Sequence, residues 1–295
     1  MSQSPERIRN VVVVGGGTAG WMSATYLAKF LAGRDCSVTL VQPVANRPIG
    51  VGEASIPSIV RFLRNMSFDE LEFMRYCHAT YKLGIEFEGW GTDETSFWHP
   101  FGNSGPTVNH LDFFHAWFRS QQVLSEFNSP FADFSLHKHL AWNGLAPRGF
   151  RESSRLVDEG SYAYHLDANA FVDYLQVKSV ELGIITINET VAQVQAEGGL
   201  IQSLVTESGH CIDGDLFIDC TGFEARLIGG ELGSEFVSFS DRLLCDRAIV
   251  CQTDNMASIA SSTNSLAMAA GWRWTIPLAN RCGVGYVYSS KYSSS

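Results

Sequence analysis

Three things are scarce in this chain of 295 residues, and each scarcity argues against a class of function. Basic side chains are few: 21 Lys and Arg stand against 31 Asp and Glu, a formal charge of −10 at pH 7. A protein that grips nucleic acid gathers cations to neutralise phosphates, and no basic face is evident here. Long apolar runs are missing, so nothing reaches the length of a membrane span. Residues 1–10 are polar and lead straight into a strand, unlike a secretory leader. Paired cysteines are missing too. The seven present (Cys36, Cys77, Cys211, Cys220, Cys245, Cys251 and Cys282) are scattered, odd in number and without a C-x-x-C pair. That argues against a disulfide framework or a zinc site, and for a reducing cytoplasm. What remains, 45% hydrophobic and 18% charged residues, fits a globular chain with a sizeable core.

The positive signals begin at the N-terminal end. Val11 to Val14 form an unbroken β-branched run, the mark of a strand buried on both faces. Gly15-Gly16-Gly17-Thr18-Ala19-Gly20 follows at once as G-x-G-x-x-G. A helical stretch from Trp21 to Leu31 stops at Gly33, and Ser37 to Val41 gives a second strand. This βαβ order predicts an α/β fold of the dinucleotide-binding, Rossmann type. Gly15 serves the turn, Gly17 lets backbone approach a pyrophosphate, and Gly20 permits close packing of helix on strand. Phosphates are expected at the helix N-terminus, beside Thr18 and Ala19, where free amides and the dipole favour anions. The second strand of such folds usually ends in Asp or Glu for the ribose hydroxyls; here Gln42 takes that place.

The motif's position near the N-terminus favours FAD. So does a later strand, Leu216 to Asp219, ending in Cys220-Thr221-Gly222, where Gly222 is expected to come near the cofactor. It follows a hairpin-like stretch in which Leu200 to Val205 and Cys211 to Asp213 flank Glu207-Ser208-Gly209.

Other segments carry a family resemblance. Trp272-Arg273-Trp274-Thr275-Ile276-Pro277 has the form W-x-W-x-I-P. Gly50 to Pro57 resembles G-V-G-E-A-T-x-P with Ser55 for Thr, and Lys82 stands in Lys82-Leu83-Gly84-Ile85-Glu86-Phe87, a K-x-x-I-x-F segment. Trp98 to Gly102, Tyr164 to Ala168, Ser240 to Ala248 and Gly285 to Ser290 match in the same order. Together they resemble the flavin-dependent halogenases often called tryptophan halogenases, over nearly the whole chain. In that family a T-G-F-x-E-P-L-E-S-T loop follows soon after the Y-V-Y-S-S segment. This sequence stops at Ser295 before it, so the resemblance is to the N-terminal, flavin-binding part.

The resemblance implies an FAD-binding Rossmann-type fold with mixed sheets, in one module spanning 1–295. Its Rossmann core would come from 9–60 and 160–230, with 61–159 and 231–295 on the substrate side and over the flavin. It implies reduced FAD (FADH2) from a separate NAD(P)H-dependent reductase, with O2 and chloride or bromide giving hypohalous acid. Lys82 would relay the halogen to an electron-rich ring, tryptophan or a like indole. Trp272 and Trp274 would wall substrate from flavin, Ala54 and Val191 would contact the cofactor, Glu53 would contact it too or else lie near the lysine, and His99 and Phe101 would hold the ring. The residues by themselves leave alternatives: W-x-W as ordinary strand packing, Lys82 as a helix-end cation, and His99 and Phe101 as loop packing. A flavin-dependent aromatic hydroxylase, or an inactive FAD-binding fragment, would share the nucleotide motif. A helix opened by a Ser67–Glu70 capping box, with Leu71 and Met74 inward, is expected to run to about Gly84.

Overall fold

The computed structural model describes residues 7–44, 50, 52–91, 96–124, 126–148, 157, 161–254 and 258–293. Val51 of the glycine-rich 50–57 segment lies outside them. The chain folds as two compact units, 1–50 with 168–238, and 51–167 with 239–295. Residues 51–60 and 160–167, expected in the nucleotide core, belong to the second unit. The cause is a strand pairing: Glu53 and Ala54 pair antiparallel with Leu166 and His165.

The first unit is built on a parallel sheet ordered Leu216–Asp219, Asn10–Val14, Ser37–Gln42, Ile185–Asn188. Val11 to Val14 are all buried, as a β-branched run covered on both faces must be. Each contributes roughly 1.5 kcal/mol or more by leaving water. The helix Thr18–Leu31 turns Gly20, Trp21, Ala24, Thr25 and Ala28 inward, and leaves Tyr26 and Phe30 exposed. Small residues at this spacing let a helix lie close to a sheet. A three-stranded antiparallel sheet, ordered Cys211–Asp213, Leu200–Thr206, Val191–Glu197, supplies Val191, Val194, Leu204 and Ile212 to a core shared with Val12, Val14 and Val41.

The second unit holds a six-stranded sheet: Arg247–Thr253, Cys282–Tyr288, Gly271–Pro277, Thr263–Met268, Gly84–Glu88, Phe97–Pro100. All neighbours are antiparallel except Thr263–Met268 with Gly84–Glu88. A small sheet of Glu53–Ala54, Ala163–Leu166 and Thr80–Lys82 completes its strands. The helix expected over residues 67–84 is one of seven residues, Glu70–Tyr76. Its cap is Asp69, whose carboxylate accepts the Glu72 amide, while Ser67 sits left-handed at the end of the preceding helix. Phe73 is the buried residue and Leu71 is exposed. Thr80 and Tyr81 are strand formers with a strand to pair with, so the chain extends there and Lys82 ends a strand, not a helix. Among the described residues no helix is long and apolar enough to cross a membrane.

Candidate active site

In the first unit the carboxyl ends of the parallel strands open onto a groove of about 630 Å³, within the range of small-molecule sites. Gly15, Gly16 and Gly17 form one end, with Cys220, Thr221 and Gly222 beside them; Glu189, Thr190, Val191, Glu224 and Arg226 also line it. Gly15 has φ +119°, and a methyl there would stand 2.1 Å from the Cys220 carbonyl oxygen. A methyl on Gly20 would meet the Gly15 carbonyl oxygen at 1.8 Å, so helix and turn touch through bare backbone. Gly17 faces open space, leaving its backbone free to be approached. The first helical bond runs from the Trp21 amide to the Gly17 carbonyl, at 3.0 Å. The amides of Thr18, Ala19 and Gly20 thus precede the helix ladder and suit an anion. The groove fits a dinucleotide's pyrophosphate.

Gln42 does not line this groove. Its side-chain oxygen accepts from the Trp21 indole at 3.1 Å and its nitrogen donates to Asn188 at 2.8 Å. These bonds hold the Gln42 side chain against Trp21 and Asn188, outside the groove lining.

In the second unit Lys82 is buried, 3% exposed, in the wall of a cavity of about 440 Å³. Most of that wall is one face of the six-stranded sheet. Ile85 and Phe87, Thr263 and Ser265, and Trp272, Trp274 and Ile276 are alternate residues on three adjacent strands. Period-two alternation therefore puts both tryptophans on the lysine's side. Trp274 lies over Gly285, where a methyl would stand 2.2 Å from the indole. Trp272 packs against Trp90, ring centroids 6.2 Å apart, and the Trp90 N–H donates to the Ser265 carbonyl at 2.9 Å. Trp90 is a third indole in this wall, and no motif marked it. Glu53 and Ala54, expected at the cofactor, line this lysine cavity. The Glu53 carboxyl is pushed up by desolvation, although the residue keeps contact with solvent.

The Lys82 amine donates to the Ser55 carbonyl at 3.1 Å and stands 5.1 Å from the centre of the Phe101 ring. Among the described residues no carboxylate lies at ion-pair distance from it. Burial lowers its pKa to about 8. The strand carrying it is braced on both sides. Thr80 gives its hydroxyl proton to the Pro277 carbonyl at 2.7 Å, so it accepts from His165 Nδ1 at 3.1 Å. That fixes the tautomer: Nε2 accepts from the Thr263 hydroxyl at 2.9 Å. His165 is fully buried, and burial first, then the Lys82 charge, hold its pKa at about 3. Elsewhere Glu70 accepts from the Tyr162 and Tyr164 hydroxyls and pairs with Arg148, and the Tyr81 ring packs on both tyrosines. Glu70, expected in a capping box with Ser67, is committed to these partners.

His99 lines a different cavity, about 740 Å³, walled by Trp98, Phe114, Phe131 and Trp142 with Glu86 and Lys138. The Phe101 ring stands 5.1 Å from the lysine nitrogen and 6.5 Å from the His99 ring.

The first unit thus presents a dinucleotide-type βαβ groove, and the second a buried lysine faced by indoles. The family model for tryptophan halogenase matches residues 10–295, and the chain belongs to that family. It is 35% identical to tryptophan 7-halogenase RebH of Lentzea aerocolonigenes over 98% of this chain and 57% of that protein. A flavin-dependent halogenase from Xanthomonas campestris superposes with a TM-score of 0.89 at 38% identity, over 98% of this chain and 57% of that one. The flavin-dependent halogenase BrvH from Brevundimonas sp. BAL3 gives 0.86 at 36% identity, over 98% and 58%. The chain thus spans a little over half the length of the relatives it matches.

Proposed function

We propose that this chain carries the cofactor groove and the reactive lysine of an FADH2-dependent halogenase acting on an electron-rich aromatic ring, tryptophan or a related indole. One observation carries the reading: a buried lysine shares a cavity with both indoles of W-x-W. Reduced FAD, supplied by an NAD(P)H-dependent reductase, would with O2 convert chloride or bromide to hypohalous acid. Gly15, Gly17, Thr18, Ala19, Gly20, Val191 and Gly222 would hold the dinucleotide. Trp90, Trp272 and Trp274 would confine the small oxidant and keep water and bulky nucleophiles from it. An amine with a pKa of about 8 is substantially neutral near that pH, and its free lone pair can form an N–halogen bond as the O–halogen bond breaks and water leaves. The haloamine would then pass the halogen to a ring carbon, which gives up its proton, while protonated Lys82 could only donate a hydrogen bond. His99 and Phe101 would position that ring by stacking.

The test is a reaction with reduced FAD, bromide and an indole, read by mass. Gain of bromine for hydrogen supports the reading, whereas gain of one oxygen indicates a hydroxylase. Lys82→Ala is expected to abolish halogenation and leave flavin oxidation and peroxide release intact. Loss of all three together would assign Lys82 to folding.

A further inference from the structure

We infer that Glu189 is the residue that takes the ribose hydroxyls of the dinucleotide, in place of the acid missing from the end of strand Ser37–Gln42. The inference rests on the dinucleotide reading of the groove and adds the residue that anchors its adenosine half. The usual position does not line the groove, because the Gln42 amide is turned onto the Trp21 indole and Asn188. The next strand over supplies the substitute. Ile185–Asn188 pairs parallel with Ser37–Gln42, setting Asn188 level with Gln42. Glu189 is therefore one residue beyond that level, at the same carboxyl edge of the sheet, and it lines the groove.

Its carboxylate is organised for accepting hydroxyl protons. The Ser208 hydroxyl donates to one oxygen, and the other has His210 Nδ1 at 3.9 Å, beyond hydrogen-bond length. The hydroxyls of Ser208 and then Thr206 keep the group ionised by holding its pKa below the ordinary value. Charge also orients the ligand. The glycine turn and helix N-terminus favour the pyrophosphate, while a carboxylate repels it, so Glu189 must face the uncharged part. On an adenosine moiety the vicinal diol is the pair of hydroxyl donors that a carboxylate can accept.

The experiment is calorimetric titration of the purified protein with FAD, then displacement by ADP and by 2′,3′-dideoxy-ADP, which fill only the adenosine half. The wild type is expected to prefer ADP over the dideoxy analogue by about tenfold, the scale of a hydrogen bond to a charged acceptor. Glu189→Gln keeps the shape and the Ser208 contact, and should collapse that preference to within about twofold. Gln42→Ala should leave the preference intact. A preference that survives in Glu189→Gln, or disappears in Gln42→Ala, overturns the assignment while the dinucleotide site stands. Failure of the wild type to bind FAD or ADP overturns both.

Discussion

Lys82 holds its amine against a thermodynamic gradient. Below its folded pKa the fold must carry a buried charge that the unfolded chain solvates freely. The unfolded chain binds more protons between about pH 8 and 10.5, so stability rises with pH across that window. A shift of this size costs about 3 kcal/mol at neutral pH, as an order of magnitude. Lys82→Met should accordingly stabilise the protein at pH 7 by about 1–3 kcal/mol, and the gain should shrink by pH 10. Denaturant melts of both proteins at the two pH values check this; an equal gain at both would mean the ammonium costs nothing. The same amine makes a kinetic prediction. Halogenation should rise with pH and level off above about 8, whereas a solvated lysine would carry the rise toward 10. His165 works in the acid range. Held at about 3 against roughly 6.5 when unfolded, it binds no proton until strongly acid pH, so stability falls as pH drops below 6.5.

At the scale of elements, the sheet face is the functional unit. Trp274 keeps its place because Gly285 across the strand pair has no side chain. Gly285→Val should force the indole out of the wall at about 1–3 kcal/mol in stability. More hypohalous acid should then be captured by a dimedone trap in solution, with less halogenated indole; an unchanged split would mean Trp274 confines nothing. The strand Thr80–Lys82 depends on Glu70 in the same way. Glu70→Gln leaves Arg148 without its carboxylate and should cost about 1–3 kcal/mol. It should lower halogenation while FAD affinity holds, as calorimetry would show. These braces were hard to read from sequence. Glu70 looked like half of a capping box because S-x-x-E spacing is local, whereas its partners are residues 148, 162 and 164. Asp69 won the cap because its carboxylate reaches the Glu72 amide directly.

At the scale of the molecule, the two units were legible to different depths. The β-branched run, the glycine motif and the second strand lie within about thirty residues, and each follows from local stereochemistry. The hairpin around Ser208 and Gly209 was equally plain. The lysine cavity was not, since its walls come from residues 52–54, 82–90 and 263–276. Family likeness named Lys82, Trp272 and Trp274, but not that Trp90 joins them in one wall.

The amino-acid order alone determined the βαβ turn, the phosphate-favouring helix start and the strand that alternates tryptophans to one face. These depend on neighbours a few residues apart, where propensity and period suffice. Tertiary structure decided which acid reaches the groove, where Glu53 goes, which histidine tautomer is locked and how far the amine's pKa falls. Each of those is set by desolvation and by partners remote in sequence, and burial is a property of the folded whole.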